Sequence, residues 1–297
     1  MLAIPSQTEK GVRSLSNAML VWIAFNATLL VLLFAASSLI AQVATLDPVA
    51  PDPSVIQSVG ASLLGFLAAV CAVLAIALVA LGIGLLGVIA VRRGAGEFGP
   101  DHAHRVDRAT VVLILGIVIP LVGSVLIPTS AFGLGDIGDI FPTFDVTVTA
   151  ASAAISTVGT ILIGLFLLWS AESFFTPRER QRGLTAIVIG VVGVTLGGVA
   201  GLVVLSTVPL PTNPQDFDAI FLVSGAISSG ISILSITLWY TAYRGVLERF
   251  RRGELRPASP PASAQWAPPY PQGYWPPAQP VEPPAQSPPE PPLTPGP

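Results

Sequence analysis

The chain has 297 residues, of which 52% are hydrophobic and only 10% charged. Soluble domains carry about 25% charged residues, so this composition excludes a water-soluble fold of the same size. Fourteen Lys and Arg against 17 Asp and Glu leave a net charge of −3, without the basic footprint of a nucleic-acid binder, and no nucleic-acid partner is expected.

Residues 1–17 carry Lys10 and Arg13 and read as a short cytoplasmic segment. The first apolar run, Ala18 to Ala41, has 24 uncharged residues. A cleaved signal peptide has an apolar region of about 7–15 residues, so this run reads as an uncleaved anchor. Five more runs follow, and the predicted spans are 18–42, 55–91, 109–132, 146–172, 184–208 and 217–243. A spanning helix needs about 20 apolar residues. Each span is predicted helical because lipid offers backbone N–H and C=O groups no other partner. The alternating ten-residue segments of a membrane β-barrel are absent. The fold class expected is therefore an all-α integral membrane protein, its six transmembrane helices arranged as three hairpins, followed by a disordered C-terminal tail.

The second run is long: Pro53 to Val91 is 39 residues without a charge, or about 58 Å of helix. Asp52 is its expected N-cap, with Pro53 at the first helical position. Cys71 within it is the sole cysteine, so the chain forms no internal disulfide, and the residue reads as a small lipid- or helix-facing one. Pro120 in the third run removes a backbone hydrogen bond and crowds the carbonyl of Gly116, which predicts a kink.

Charge sorts by loop. Every Lys and Arg falls before the first run, between the second and third, between the fourth and fifth, or after the sixth. The other three loops hold Asp47, Asp52, Asp136, Asp139, Asp145, Asp216 and Asp218 and no basic residue. The positive-inside rule then places both termini in the cytoplasm of a multi-pass plasma-membrane protein. Asp52, Asp145 and Asp218 each precede a second hairpin helix and read as its N-cap. The shared plan of the hairpins suggests a loose internal repeat, although convergent loop chemistry gives the same pattern.

Two clusters resemble metal-site fragments. Asp136-Ile-Gly-Asp139 lacks the rest of a calcium-ligand series. Asp101-His-Ala-His104 lacks a third strong ligand nearby and reads as a solvated loop. No metal, no cofactor and no catalytic residue is expected. Trp22, Trp169, Trp239, Tyr240 and Tyr243 fall at the cytoplasmic ends of spans and read as an interfacial aromatic belt. Residues 244–256 form a basic juxtamembrane segment, and Arg244 to Arg256 would attract anionic lipid.

The membrane interior offers hydroxyls in place of charges. Thr149, Ser152, Ser156 and Thr160 in the fourth span, with Ser228, Ser232 and Ser235 in the sixth, recur at helical spacing. They read as interhelical hydrogen bonding or as a polar groove between the two helices. Gly190, Gly193, Gly197 and Gly201 in the fifth span form two overlapping GxxxG pairs with one further glycine. Such a stripe permits close helix packing, expected to be internal rather than with a second copy.

The last segment, 257–297, is Pro-rich, without Lys or Arg, and expected to be a disordered cytoplasmic tail. Within it Trp266, Pro268, Pro269, Tyr270, Tyr274 and Trp275 are the candidate contacts for a protein partner or for self-association. The leading functional expectation is a non-enzymatic polytopic protein, embedded in the lipid bilayer, that organises partners through this tail. The alternative is a small permease or channel for a neutral or lipid-like substrate. A continuous cavity lined by the hydroxyls would favour the second.

Overall fold

The computed structural model describes residues 6–44, 53–131, 146–207 and 214–257. They form six long helices: α1 Gln7–Ala44, α2 Pro53–Arg93, α3 Pro100–Ala131, α4 Val146–Ala171, α5 Pro177–Thr207 and α6 Pro214–Arg251. Short 3-10 turns at Ala95–Phe98 and Glu172–Phe174 complete the described secondary structure, which contains no strand. All six helices are long and apolar enough to cross a membrane. The chain is a polytopic all-α membrane protein.

Four of the six helices open on proline: Pro53, Pro100, Pro177 and Pro214. The fixed φ suits the first helical position, and the missing N–H would have no partner there. This overturns one expected cap. Asp218 does not precede the last helix, because Pro214 starts it four residues earlier. Asp52 and Asp145 do stand one residue before their helices. The expected loop at Asp101–His104 is also corrected, since Pro100 begins α3 directly after Gly99, whose φ of +98° is the left-handed region glycine favours. The segment 244–256 is mostly helix as well, because α6 runs on to Arg251.

Packing follows the hairpins. α1 lies against α2, α3 against α4, and α5 against α6, with α1·α6 and α4·α5 joining the pairs. Neighbours therefore run α2–α1–α6–α5–α4–α3, and α2 scarcely touches α3. The sheath of the bundle is apolar and faces outward: Leu64, Leu78 and Leu86 of α2 are each more than 60% exposed. Lipid is the solvent such a surface fits. Cys71 belongs to this outer surface.

The buried core sits at the basic end of the bundle. It joins Val12, Val91, Val106, Phe174, Tyr243 and Phe250, contributed by several helices and the second 3-10 turn. Glycine makes the closest helix approach there. A Cβ at Gly11 of α1 would stand 2.5 Å from the backbone nitrogen of Val91 and 2.9 Å from the carbonyl of Gly87. Neither backbone atom can rotate away, so only glycine fits. The start of α1 is tied to the turn after α2. The Gln7 and Thr8 N–H groups donate to the Glu97 carboxylate at 2.9 and 3.1 Å, and the Thr8 hydroxyl donates to the Gly94 carbonyl at 2.8 Å. Free helix donors are thus capped by a side chain about ninety positions away.

A second cap locks α5. The Thr176 N–H donates to Glu179 at 2.7 Å and the Glu179 N–H to the Thr176 hydroxyl at 3.3 Å, a reciprocal capping box. Arg249 of α6 donates to the same Glu179 carboxylate. The carboxylate lies so close to Gly245 that a Cβ there would collide with it.

The aromatic belt is overturned for two members. Trp239 is 4% exposed and Tyr243 is fully buried. The Tyr243 hydroxyl donates to the Leu167 carbonyl at 2.8 Å and shares a hydrogen bond of 2.9 Å with Ser170. Both rings face into the bundle because α6 packs between α1 and α5 and turns that side inward. Trp22 remains exposed, and Trp169 and Tyr240 are half-buried.

Candidate functional site

Just inward of the buried core, the hub of the bundle holds a cavity of about 460 Å³. All six helices line it. Leu15 and Trp22 come from α1, Ala80 and Leu85 from α2, Leu113 and Ile117 from α3, and Phe166 and Trp239 from α4 and α6. The helices border this space as neighbours around the bundle, and it stays partly open where α2 and α3 scarcely touch. The lining contains no charged residue.

Three expected groove residues reach the cavity: Thr160 of α4, and Ser232 and Ser235 of α6. Each hydroxyl has a different state. Thr160 donates to the Ser156 carbonyl at 2.9 Å, one turn back on its own helix. Ser235 donates to the Ala186 carbonyl of the neighbouring helix α5 at 2.8 Å. Ser232 makes no side-chain hydrogen bond to any described residue, so its hydroxyl is free to meet a guest. Ser152, Ser156 and Ser228 are exposed and stand outside the cavity lining. The Thr149 side chain lies outside the described residues. The two expectations for the hydroxyl stripe thus divide by residue: Ser235 bonds between helices, and Ser232 faces open space.

The α5 glycines explain why the cavity has room. Gly190 is itself a lining residue, and a Cβ there would reach within 3.2 Å of Thr160 and 3.3 Å of Ser235. Gly193 packs on Ile231 of α6, where a Cβ would come within 2.5 Å of the side chain. Gly197 faces Ser228 at a looser 3.9 Å, and Gly198 meets Ala153 of α4. This face is therefore occupied within the chain. Gly201 lies in α5, but its surroundings are outside the described residues.

The seam between α2 and α3 is the weak side of the ring. Leu81 and Leu85 of α2 and Ile117 of α3 line the cavity and are also 53%, 47% and 43% exposed. They connect the hub to the surrounding lipid. Toward the basic end the cavity meets buried Trp239, Phe166 and Leu15, and beyond them the packed core. Among the described residues the pocket is therefore open to the side, between α2 and α3. Pro120 of α3 lies against bare Gly159 of α4, where a Cβ would collide with its ring, and α3 continues as helix through the proline.

The histidine pair does not converge. His102 is 2% exposed inside an aromatic cage, 4.8 Å from Phe174 and 5.9 Å from Phe98 between ring centres. Neither ring nitrogen has a hydrogen-bond partner among the described residues. His104 points outward. Among the described residues no three His, Cys, Asp or Glu side chains gather as a metal site. Asp136, Asp139 and the tail residues Trp266, Pro268, Pro269, Tyr270, Tyr274 and Trp275 lie outside the described residues.

The cavity was only half legible beforehand. The α4 and α6 hydroxyls pointed toward the right helices, but the α1, α2 and α3 walls carry no polar marker among lipid-facing leucines and valines. Compared with family models, curated proteins and solved structures, the chain matches none of them.

Proposed function

We propose that this is a non-enzymatic plasma-membrane protein that takes a lipid-like or neutral apolar molecule from the bilayer into its central cavity. The carrying observation is the uncharged 460 Å³ space bordered by all six helices. Ligand pockets run about 300–1,000 Å³, mostly apolar with a few placed polar groups. Here Ser232 supplies a free hydroxyl in an otherwise greasy chamber. A charged solute would lose its hydration without any compensating partner. Catalysis lacks support, since no acid, base or activated nucleophile lines the space. Cytoplasmic termini belong to the same proposal and rest on the sorting of basic residues.

The test is photolabelling of the full chain in vesicles with a phospholipid bearing a diazirine on its acyl chain. Labelling should concentrate on Leu113, Ile117 and Ile163, beyond the bilayer background. Labels spread evenly over outer residues such as Leu78 and Leu86, with none enriched in the cavity, would overturn the proposal.

A second reading concerns the tail and is compatible with the first. Aromatic residues spaced through a Pro-rich segment favour contacts with a partner, through stacking and preformed polyproline geometry. Removing 257–297 should then change the proteins cross-linked to this one in its host membrane while leaving insertion intact. An unchanged cross-linking pattern would refute that role.

A further inference from the structure

At the basic end a separate cavity of about 290 Å³ lies beside α3 and α4, walled by Arg105, Arg108, Trp169 and Glu172. We propose that it binds the phosphate head of an anionic phospholipid.

The charges favour an anion despite the carboxylate. Glu172 pairs with Arg180 at 3.3 Å and lies 4.0 Å from Arg105. Arg108 meets no carboxylate among the described residues. The pocket lining thus holds two guanidinium groups and one carboxylate, and that carboxylate is also engaged by Arg180 outside the lining, which leaves the site with a net positive charge. Arg105 and Arg108 are three positions apart on α3, so they lie on neighbouring turns of one face. Two such guanidinium groups can hold phosphate oxygens through parallel charge-assisted hydrogen bonds.

Depth selects a lipid over a free ion. Arg108 directly precedes the apolar run of α3, and Trp169 closes the apolar run of α4. Basic residues and tryptophan side by side mark the boundary between head groups and hydrocarbon. On the same two helices Leu113 and Leu167 already line the central cavity. Leu113 is five residues beyond Arg108, or about 7.5 Å along the helix. A phosphate held at Arg105 and Arg108 would leave its acyl chains beside the α3 wall. The placement of an acyl chain in the hub rests on the function proposed above, whereas the head-group site stands without it.

Native mass spectrometry of the full chain in detergent tests this, by titrating phosphatidylglycerol and phosphatidylcholine with identical acyl chains. The wild type should prefer phosphatidylglycerol. Arg108→Gln should weaken it on the order of fivefold, the worth of about one basic residue at an anionic surface. The Arg105→Gln, Arg108→Gln double variant should lose roughly the square of that factor. Phosphatidylcholine has the same phosphate but a choline that cancels its net charge, so it should weaken less than phosphatidylglycerol in both variants, and the preference should fall. Arg92→Gln with Arg93→Gln, at the same end on α2, should leave the preference intact. An equal loss from that control would mean diffuse surface attraction and overturn the site. No preference in the wild type would overturn it outright. Displacement of phosphatidylglycerol by millimolar inorganic phosphate would assign the pocket to a free anion and refute the lipid. Ser232→Phe serves to separate the two ideas: it should lower both lipids alike if acyl chains use the hub, leaving their ratio untouched.

Discussion

Replacing Glu179 by alanine is expected to destabilise the folded protein by about 3–5 kcal/mol, the range for breaking one side of a buried ion pair. The carboxylate does three things at once. It accepts from the Thr176 N–H, from Arg249 of α6, and it fills the niche left by Gly245. Its side chain is only 10% exposed and that of Arg249 only 19%. Alanine would leave the guanidinium without its partner and the first turn of α5 without a cap. Glu179→Gln keeps an acceptor for Thr176 and the volume but not the charge, so it should lose less. Denaturation in mixed micelles, followed by helical circular dichroism, reads both variants. Equal stability of the alanine variant and the wild type would mean that the α5–α6 clasp contributes nothing.

How legible such contacts are in the sequence depends on their range. The Thr176-x-x-Glu179 spacing just before an apolar run is a capping-box signature, so that half of the clasp was readable. Its partner Arg249 lies 70 positions away, and nothing local marks the pairing. Glu97 capping α1 is hidden for the same reason. Gly11 stands among basic residues before the first apolar run, so it reads as linker; only the approach of Val91 reveals its packing role. Long-range fit also explains Trp239 and Tyr243. Position along a span places an aromatic ring at the right depth but does not say which side of the helix faces a neighbour. His102 shows the same limit: a His beside Asp and Gly looks solvated until α3 starts at Pro100 and turns the ring into the aromatic cage.

Six spans were legible because a single physical quantity, uncharged length, decides them. The close fits of Gly190 and Gly193 against α4 and α6 side chains follow from small residues on one helix face, whereas Gly197 stands a looser 3.9 Å from Ser228 and the surroundings of Gly201 lie outside the described residues. The hub was legible only on its α4 and α6 side, because an empty space is a property of six helices together. Where helices pack mainly against their ring neighbours, room is left between them whichever apolar residues face it.

Filling that middle is the most direct test of the account. Ser232→Phe adds a ring where no hydrogen bond is lost and where about 460 Å³ stands free, so overpacking should cost no more than the usual 1–3 kcal/mol. Leu86→Phe, on the outer face of α2, is the matched control, because that side chain is 64% exposed. Lipid-like molecules retained by each protein after detergent extraction are counted by native mass spectrometry. One tightly held molecule is expected in the wild type and in Leu86→Phe, and its loss in Ser232→Phe. Equal retention by all three, or none by the wild type, would contradict it.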